Sequence, residues 1–527
     1  MRGLVLAGVV VAVSACRTVA PTPQPVLDAL AAKPGAHLVG TPTGLGRPRV
    51  LNAEDFVYDA KLSPDSKTAA VSRLGAKSFF LALHAVGAET PAKAKLADVP
   101  ITPLEWDVDA LEFSPDGRAV ATVSRDGGVR VYSSADGALL GSFLTEEPLV
   151  SLAWSPTGDV LAVGSAKGLV TLLAWPAFDF LGEARAHADE VRGLAFAGPG
   201  RLVSGGWDKR LVVHRVTPAS APPATARLAM TKRNAAVLFR ALLDGRALAQ
   251  VTLDNRVPGL VVRSALAAAA GIDVPKLTDS VTLNTGLGAQ VARVAKGRRL
   301  AFKTLVFEGV DVAVCDACVP PEAQGVLGTK LLELVDVAFD EAAQSVLLTA
   351  KPGAPVATSP ARELTAEREY AFPAAINDLS IDAAGQTLGV AFSETKAERT
   401  REVYEREKRK EVEPERAWDV GARVEVATGA VLETLRGHRG VVATAGISPD
   451  GQTLATGGWD KTVRVHLAPP VVEDDFGWAI RRVRFSRDGR WLVVAAWTPL
   501  NPLGDHQSDP AAVVYEVVFP ASATVSE

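Results

Sequence analysis

A short turn of the type Ser-Pro-Asp recurs along the chain, and each copy lies between two apolar segments. The clear copies are Ser63-Pro64-Asp65, Ser114-Pro115-Asp116, Ser155-Pro156-Thr157, Ser448-Pro449-Asp450 and Ser486-Arg487-Asp488, with weaker copies at 197–200 and 382–385. A third apolar segment follows each pair, and successive turns are mostly about forty residues apart. A period of this length, made of short strands and tight turns, predicts a repeat architecture of stacked β units.

Two nearly identical segments carry the repeat most clearly. They are SGGWDKRLVVHRV (204–216) and TGGWDKTVRVHLA (456–468), and GHRGVVATAGISPDG (437–451) adds a Gly-His opening. These motifs resemble the WD-repeat family, which implies an all-β β-propeller. Seven strand–turn–strand units, beginning near residues 55, 107, 148, 188, 376, 440 and 480, predict seven blades stacked around an axis. The last unit has three recognisable strands, so a strand near 48–52 is expected to complete it and close the ring.

Two sets of polar residues in these segments resemble a hydrolase triad by residue type: His187, Ser204 and Asp208, and His438, Thr456 and Asp460. In WD repeats the matching positions form a structural hydrogen-bond network inside a blade, and the resemblance favours that role. His214 and His466 stand where the family usually has Trp. We therefore expect an incomplete network.

The repeat is interrupted between Ala197 and Asp382 by more than about a hundred extra residues. So long a connection needs structure of its own. We place a folded insertion at 226–352, between blades one to four (46–225) and blades five to seven (353–519). Within it, the sequence reads as two strands joined by a turn, a loop, a short Ala-rich helix and further strands.

The insertion contains Leu253-Asp254-Asn255-Arg256 after its second strand and Gly325-Val326-Leu327-Gly328 near its end. This order resembles the retropepsin-like aspartic protease fold in its single-domain form, which implies that Asp254 matches the catalytic aspartate. Such enzymes need two carboxylates that share a proton, so one domain must pair with a copy. Asn255 and Arg256 replace the Thr and Gly of the motif. A cation beside Asp254 favours the ionised form, and we expect the domain to be inactive.

The first residues predict export and lipid attachment. The apolar run Leu4 to Val13 is too short to span a membrane permanently. Val13-Ser14-Ala15-Cys16 resembles the lipobox of bacterial lipoproteins, which implies a signal peptide over 1–16 and lipidation of Cys16; an ordinary signal peptide is the alternative. We read 17–45 as a stiff tether. The lack of an Asp after the cysteine favours the outer membrane.

Cys315 and Cys318 have the spacing C-x-x-C, which suits a zinc site, a redox motif or a disulfide. Neither His nor a second Cys pair lies nearby, so a disulfide in an oxidising compartment is favoured. In blade five, residues 394–416 contain 16 charged side chains among 23. Opposite charges at i,i+4 spacing predict a solvated helix there. Residues 520–527 are read as a tail.

A net charge of −4 offers no concentrated basic face, which argues against a nucleic-acid partner. We expect a lipid-anchored scaffold of the bacterial cell envelope that binds protein or peptide partners through the ring and the insertion, without metal or cofactor. The alternative is an aspartic peptidase, with a homodimeric dyad through Asp254, that the propeller regulates. A small-ligand or catalytic site in the central channel has less support, because no cluster of ligands marks the strand starts.

Overall fold

The computed structural model of the chain leaves out both ends and several loops. It describes residues 20–33, 35–52, 56–74, 79–86, 95–101, 108–218, 225–234, 236–245, 247–285, 288–354, 356–358, 361–394, 419–467, 470–473, 476, 479–496 and 512–526. The expectations for Cys16 and for all but the first residue of the charged helix at 394–416 concern residues outside these ranges.

Seven antiparallel sheets stand around a central axis, which confirms the prediction of an all-β, seven-bladed propeller. The strands of blades one to four, from the axis outward, are Phe56–Leu62, Thr68–Leu74, Phe79–Ala85 and Lys95–Ile101; Val108–Phe113, Ala119–Ser124, Gly128–Ser133 and Leu139–Leu144; Leu149–Trp154, Val160–Ser165, Leu169–Ala174 and Phe180–Arg185; and Val191–Phe196, Arg201–Gly206, Arg210–Pro218 and Arg362–Ala371. Those of blades five to seven are Ala375–Ile381, Thr387–Ser393, Val420–Glu425 and Val431–Leu435; Val442–Ile447, Leu454–Gly458, Val463–Val465 and Val471–Glu473; and Ile480–Phe485, Trp491–Ala496 and Ala512–Val518 with Gly44–Leu45 and Arg49–Asn52.

The Ser-Pro-Asp turns join the first and second strands of their blades. In the turn of blade six, the Ser448 hydroxyl donates to the Asp450 carboxylate and accepts the Thr453 backbone N–H at 2.9 Å. The same bonds recur in the first blade, where the Ser63 hydroxyl donates to Asp65 at 2.6 Å. Because Ser and Asp satisfy the backbone groups of a tight turn locally, the motif marks the turns in the sequence.

The ring closes between the two ends of the chain. Arg49 pairs with Val514 and Val50 with Val513 in an antiparallel ladder, so an N-terminal strand completes blade seven. This confirms the predicted closing strand near 48–52. The buried Leu51 lies in the cluster that joins blades seven and one.

The prediction of an extended tether over 17–45 and a free tail over 520–527 is wrong for the described residues. Gln24–Ala31 is a helix, and His37–Val39 pairs with Thr524–Ser526. The reason is apolar burial: Val26 and Leu30 belong to the hydrophobic cluster of blades six and seven. The described segments near the two termini therefore pack together beside blades six and seven.

The insertion lies inside blade four, not between blades four and five as expected. Arg210–Pro218 pairs with Arg362–Ala371, and the last pair in that ladder is Pro218 with Arg362. The insertion therefore leaves from the third strand and returns as the fourth.

The insertion forms one eleven-stranded mixed sheet with short helices. Its strands are Thr225–Arg233, Ala236–Leu243, Ala247–Leu253, Leu260–Val262, Ser280–Thr285, Gly288–Phe302, Leu305–Val314, Gly325–Leu327, Val335–Asp340, Ser345–Ala350 and Val356–Thr358; its α-helices are Ser264–Ala269 and Thr329–Leu332, and its 3-10 turns are Val274–Lys276 and Asp316–Cys318. The sheet has its own core, built around fully buried residues such as Phe239 and Leu305.

The insertion docks against the outer strands of blades two and three. Phe143 of blade two packs on Leu242, Ala301 and Val306. Lys303 Nζ lies 2.7 Å from Glu183 Oε1 of blade three. An apolar contact flanked by ion pairs therefore fixes the insertion to the ring.

Candidate functional site

Asp254 follows the strand Ala247–Leu253 directly, in an exposed loop. That strand runs parallel to Gly325–Leu327, which in turn pairs antiparallel with Leu260–Val262. The Asp254 backbone N–H donates to Leu327 O at 3.1 Å, and Gly328 N–H donates to Gly259 O at 2.9 Å. The two motifs singled out in the sequence therefore lie side by side.

Arg256 neutralises Asp254 within the same loop. Its Nη2 lies 2.7 Å from Asp254 Oδ2, and its Nε lies 2.9 Å from Oδ1. The Arg256 backbone N–H also donates to Oδ1 at 2.9 Å. Hydrogen bonds from the Arg256 side chain therefore lower the pKa of Asp254. A carboxylate held ionised in this way is poorly suited to share a proton with a second one.

Cys315 and Cys318 are joined by a disulfide, with their Cα atoms 5.3 Å apart. Arg263 holds the loop that follows them: its guanidinium donates to the carbonyls of Val319 and Pro320 at 2.9 Å. Among the described residues, no three His, Cys, Asp or Glu side chains gather as metal ligands.

The polar sets of blades four and six each form a buried chain of hydrogen bonds. In blade four, His187 Nδ1 lies 2.8 Å from Asp208 Oδ1, and His187 Nε2 lies 2.8 Å from Ser204 Oγ. Ser204 Oγ lies 2.7 Å from His214 Nε2. The expected incomplete network is therefore wrong here, because the imidazole Nε2 of His214 reaches the Ser204 hydroxyl from the position where Trp is usual. His214 Nδ1 is left buried without a hydrogen-bond partner.

The network of blade six repeats this arrangement. His438 Nδ1 lies 3.0 Å from Asp460 Oδ1, and His438 Nε2 lies 2.8 Å from Thr456 Oγ1. Thr456 Oγ1 lies 3.0 Å from His466 Nε2. Burial opposes ionisation of Asp460, but the hydrogen bond and charge of His438 outweigh it and lower its pKa to about 2. Both histidine–carboxylate pairs lie inside blades, where a substrate has no access.

We predict that these networks make stability depend on pH. Burial and then His187 lower the pKa of His214 to about 4, and burial, His438 and Arg464 lower that of His466 to about 3. The unfolded chain takes up these protons first, near the ordinary value of 6.5, so the stabilisation is complete above pH 6.5 and declines below it. Each of these two histidines should lower the free energy of unfolding by about 1.4 kcal/mol per pH unit as the pH falls from 6.5 towards 4.

The measurement is urea unfolding from pH 8 to 4 on the wild type and on the double variant His214→Gln/His466→Gln. Glutamine keeps an N–H donor but does not titrate, so the slope between pH 6.5 and 4 should flatten. Equal slopes in the two proteins would show that these histidines are not the source.

All seven inner strands carry a β-bulge at the same position near their start. At each bulge, one residue of the inner strand has no pairing partner on the second strand. We call these seven residues the throat ring: Tyr58, Asp109, Val150, Arg192, Asn377, Ala443 and Arg481. We call this end of the channel the entry end, and the end with the Ser-Pro-Asp turns the turn end. A bulge re-aims the side chain it displaces, and a repeated bulge therefore builds a ring of unlike side chains.

A buried ion cluster crosses the channel beyond the throat ring. Asp378 of blade five accepts from Arg482 Nη1 at 2.8 Å and from Arg484 Nη1 at 2.7 Å, both on blade seven. Arg482 Nε also lies 2.8 Å from Asp59 Oδ1 of blade one, and the Thr444 hydroxyl of blade six donates to Asp378. Burial opposes the charge of Asp378, but Arg484 and Arg482 outweigh it and lower its pKa to about 2.

This cluster was not predicted, although its members stand out as charges inside the apolar strands AINDLSI and IRRVRF. It connects blades one, five, six and seven, where the chain ends meet. A buried carboxylate with two guanidinium partners is costly to disrupt, because removal of one member leaves unpaired charges behind.

The turn end of the channel opens into a cavity of about 380 Å³. One apolar residue from each blade forms its collar: Leu62, Phe113, Trp154, Phe196, Ile381, Ile447 and Phe485. Each of these residues ends an inner strand just before the turn. The cavity therefore combines an apolar collar with charged side chains in its wall, among them Asp378, Arg482 and Arg484.

Residues 103–133, 178–215 and 429–466 match the family described as "WD domain, G-beta repeat". The chain therefore carries WD40 repeats on a WD-repeat propeller. It is 29% identical over 100 residues to "Telomerase protein component 1" of Rattus norvegicus, across 19% of this chain and 4% of that protein. It is 52% identical over 79 residues to "Periodic tryptophan protein 2 homolog" of Schizosaccharomyces pombe, across 14% of this chain and 9% of that protein.

The chain thus spans less than a tenth of the length of each of these relatives. Among solved structures, a chain in "Crystal Structure of Mitotic Checkpoint Complex" aligns at 13% identity with a TM-score of 0.46, over 91% of this chain and 96% of that chain. No helix in the described ranges is long and apolar enough to cross a membrane.

Proposed function

We propose that the protein is a membrane-anchored scaffold of the bacterial cell envelope that binds protein partners. The observation that carries the proposal is the set of WD40 repeats on a seven-bladed ring, because such rings offer large rigid surfaces and several loops for partners. The anchor is proposed from the lipobox-like Val13-Ser14-Ala15-Cys16. The insertion adds a second surface, attached to blades two and three.

The test is affinity capture of the full chain from detergent-solubilised envelopes, followed by reconstitution with each purified candidate. The matched control replaces residues 219–361 by Asn-Gly, which joins the neighbouring strand ends Pro218 and Arg362 by a two-residue turn. A partner retained by the control binds the ring, and a partner lost binds the insertion. If no captured protein forms a complex with the pure chain, the scaffold proposal fails.

The anchor leads to a separate prediction. Cys16→Ser removes the thiol that would carry the lipid, so the protein should move from the membrane to the soluble fraction and lose palmitate labelling. Without the lipid, the folded chain keeps at most weak contacts with the membrane surface, and these do not hold a protein stably. Release should therefore be nearly complete. The control is Cys315→Ser/Cys318→Ser, which should keep its membrane location. Unchanged fractionation of Cys16→Ser would refute the lipid anchor.

The second candidate function is an aspartic peptidase, and the observation that favours it is the position of Asp254 at the end of Ala247–Leu253, beside the parallel strand Gly325–Leu327. We propose instead that the domain resembles a retropepsin-like protease but no longer catalyses. The ion pair with Arg256 occupies both carboxylate oxygens.

We therefore predict that the purified protein does not cleave a diverse peptide library between about pH 3 and 7. Arg256→Gly should raise the pKa of Asp254 towards its ordinary value without creating activity, because the second carboxylate is still missing. The pKa can be followed by NMR titration of the carboxyl carbon. Cleavage that pepstatin blocks and Asp254→Ala abolishes would make the peptidase the correct function.

A further inference from the structure

The disulfide between Cys315 and Cys318 closes a loop with only two intervening residues. In the chain-entropy account, a disulfide stabilises a fold mainly by restricting the unfolded chain, and this effect grows with the number of residues enclosed. A bond across residues 315–318 therefore contributes little to a domain whose strands run from Thr225 to Thr358. Global stability gives little reason for this bond.

Arg263 and Ser264 hold the loop independently of the disulfide. The Arg263 guanidinium donates to Ala323 O at 3.0 Å, in addition to the carbonyls of the two residues after Cys318. The Ser264 backbone N–H and hydroxyl donate to the carboxylate of Asp316, at 2.9 Å and 2.6 Å. These bonds fix the loop on both sides of Cys318, so we expect a reduced pair of thiols to stay close together.

The two cysteines differ in their access to solvent. Cys315 is 9% exposed and packs with Val319 and Val326 in a hydrophobic cluster. Cys318 packs against the outside of that cluster and is partly exposed. In thiol–disulfide exchange, access decides which of the two sulfurs is attacked. Of the pair, Cys318 is the residue that an incoming thiolate can approach.

We propose that Cys315 and Cys318 form a thiol–disulfide exchange centre that oxidises a dithiol of a protein partner. A disulfide that is accessible, and is not needed to hold the fold, is of the kind that exchanges readily. This activity is separate from the scaffold function and does not require the lipid anchor.

The exchange has two steps. A partner thiolate attacks the sulfur of Cys318, and the bond to Cys315 breaks with its electron pair on the Cys315 sulfur, which takes up a proton. The partner's second thiolate then attacks the partner sulfur of the mixed disulfide and releases Cys318, which is protonated in turn. The partner loses two electrons and two protons, and the Cys315–Cys318 pair gains both.

The first test measures reduction of the disulfide by a synthetic peptide that carries two cysteines. All proteins contain Cys16→Ser, so that Cys315 and Cys318 are the only cysteines present. The reaction is stopped in acid, and the oxidised and reduced forms are separated by chromatography. The native protein should be reduced at least as fast as the same protein unfolded in concentrated urea, because the folded loop leaves Cys318 accessible.

Two single-thiol variants identify the sulfur that is attacked. In the folded state, Cys315→Ser, which retains Cys318, should form a mixed disulfide with oxidised glutathione at least tenfold faster than Cys318→Ser, which retains Cys315. Arg263→Gln should slow re-formation of the disulfide by oxidised glutathione several-fold, because it releases the loop. The matched control is Arg293→Gln, since the exposed Arg293 donates to a single carbonyl in the same domain.

Circular dichroism establishes that each variant is folded, and the two single-thiol variants decide the question if Arg263→Gln does not fold. Reduction at least tenfold slower in the native protein than in urea, or equal rates for the two single-thiol variants, would overturn the proposal. A Cys315→Ser/Cys318→Ser protein that melts far below its parent would also overturn it, because the disulfide would then hold the fold. Each of these results leaves the scaffold function to be judged by its own capture experiment.

Discussion

Replacement of Asp378 by alanine should lower the free energy of unfolding by about 3–5 kcal/mol, as measured by urea denaturation at pH 7. The carboxylate is 2% exposed and accepts from both Arg482 and Arg484. Without it, two largely buried guanidinium groups lose a shared counter-charge. The loss should also loosen the junction of blades five, six and seven.

The matched control is Asp336→Ala, because the Asp336 side chain is 73% exposed and lies 3.8 Å from Lys351. A surface pair of this kind contributes about 1 kcal/mol or less. The pH dependence gives a second check. The folded pKa of Asp378 is lowered to about 2, so its stabilisation is complete above the unfolded value of 3.8 and is lost as the pH falls through 2. An Asp378→Ala protein as stable as Asp336→Ala would refute the role of the cluster.

Removal of residues 20–52 should prevent cooperative folding of the ring. These residues supply the outermost strands of blade seven and bury Leu38, Leu45 and Leu51. Each buried leucine contributes about 1.5–3 kcal/mol, so the loss approaches the stability of a typical domain, about 5–15 kcal/mol. Thermal unfolding followed by circular dichroism should show a broad transition at much lower temperature than in the wild type.

A synthetic peptide of residues 36–52, added to this variant, should restore part of the transition by pairing with Ala512–Val518. The control is removal of residues 520–526, which takes away one strand of the two-stranded sheet with His37–Val39 and should shift the melting temperature far less. A variant without 20–52 that melts like the wild type would show that the N-terminal strand is not required for closure.

The blade count could be predicted because each turn is determined by neighbouring residues. Ser448, Asp450 and Thr453 make their hydrogen bonds within five residues of one another, so the motif appears in the sequence wherever the turn appears in the fold. The closing strand could be predicted for a related reason: the last repeat lacked a strand, and a propeller leaves no blade incomplete.

The fourth strand of blade four was missed because it is an outermost strand. RELTAEREYA, Arg362–Ala371, is largely exposed, and the only buried residue among its ten is Leu364. Without an apolar face, nothing in its pattern distinguishes it from a loop. The tether was misread for the opposite reason: its few apolar residues, such as Val26 and Leu30, are enough to dock a helix once blades six and seven are in place.

The channel was the least predictable part. Asp378 and Arg482 are 104 residues apart in sequence, and the bulge that brings Arg481 to the throat depends on the ladder register. The hydrogen-bond network of blade four was partly predicted. His187, Ser204 and Asp208 were named as its members, but the contact between Ser204 Oγ and His214 Nε2 was not predicted. A residue-type comparison with Trp overlooks that an imidazole Nε2 can reach the same hydroxyl oxygen.

The ladder between Pro218 and Arg362 has a consequence for the history of the chain. The insertion begins and ends at two residues that are already neighbours in one sheet, so a single genetic event could add or remove it and leave the ring intact. Selection on the ring and selection on the insertion then act almost separately. A loop such as the one around Asp254 is free to change its residues while the blades keep their turns. Gene sequences related to this one should therefore include chains with a plain fourth blade, and the insertion should diverge faster than the repeats that hold it.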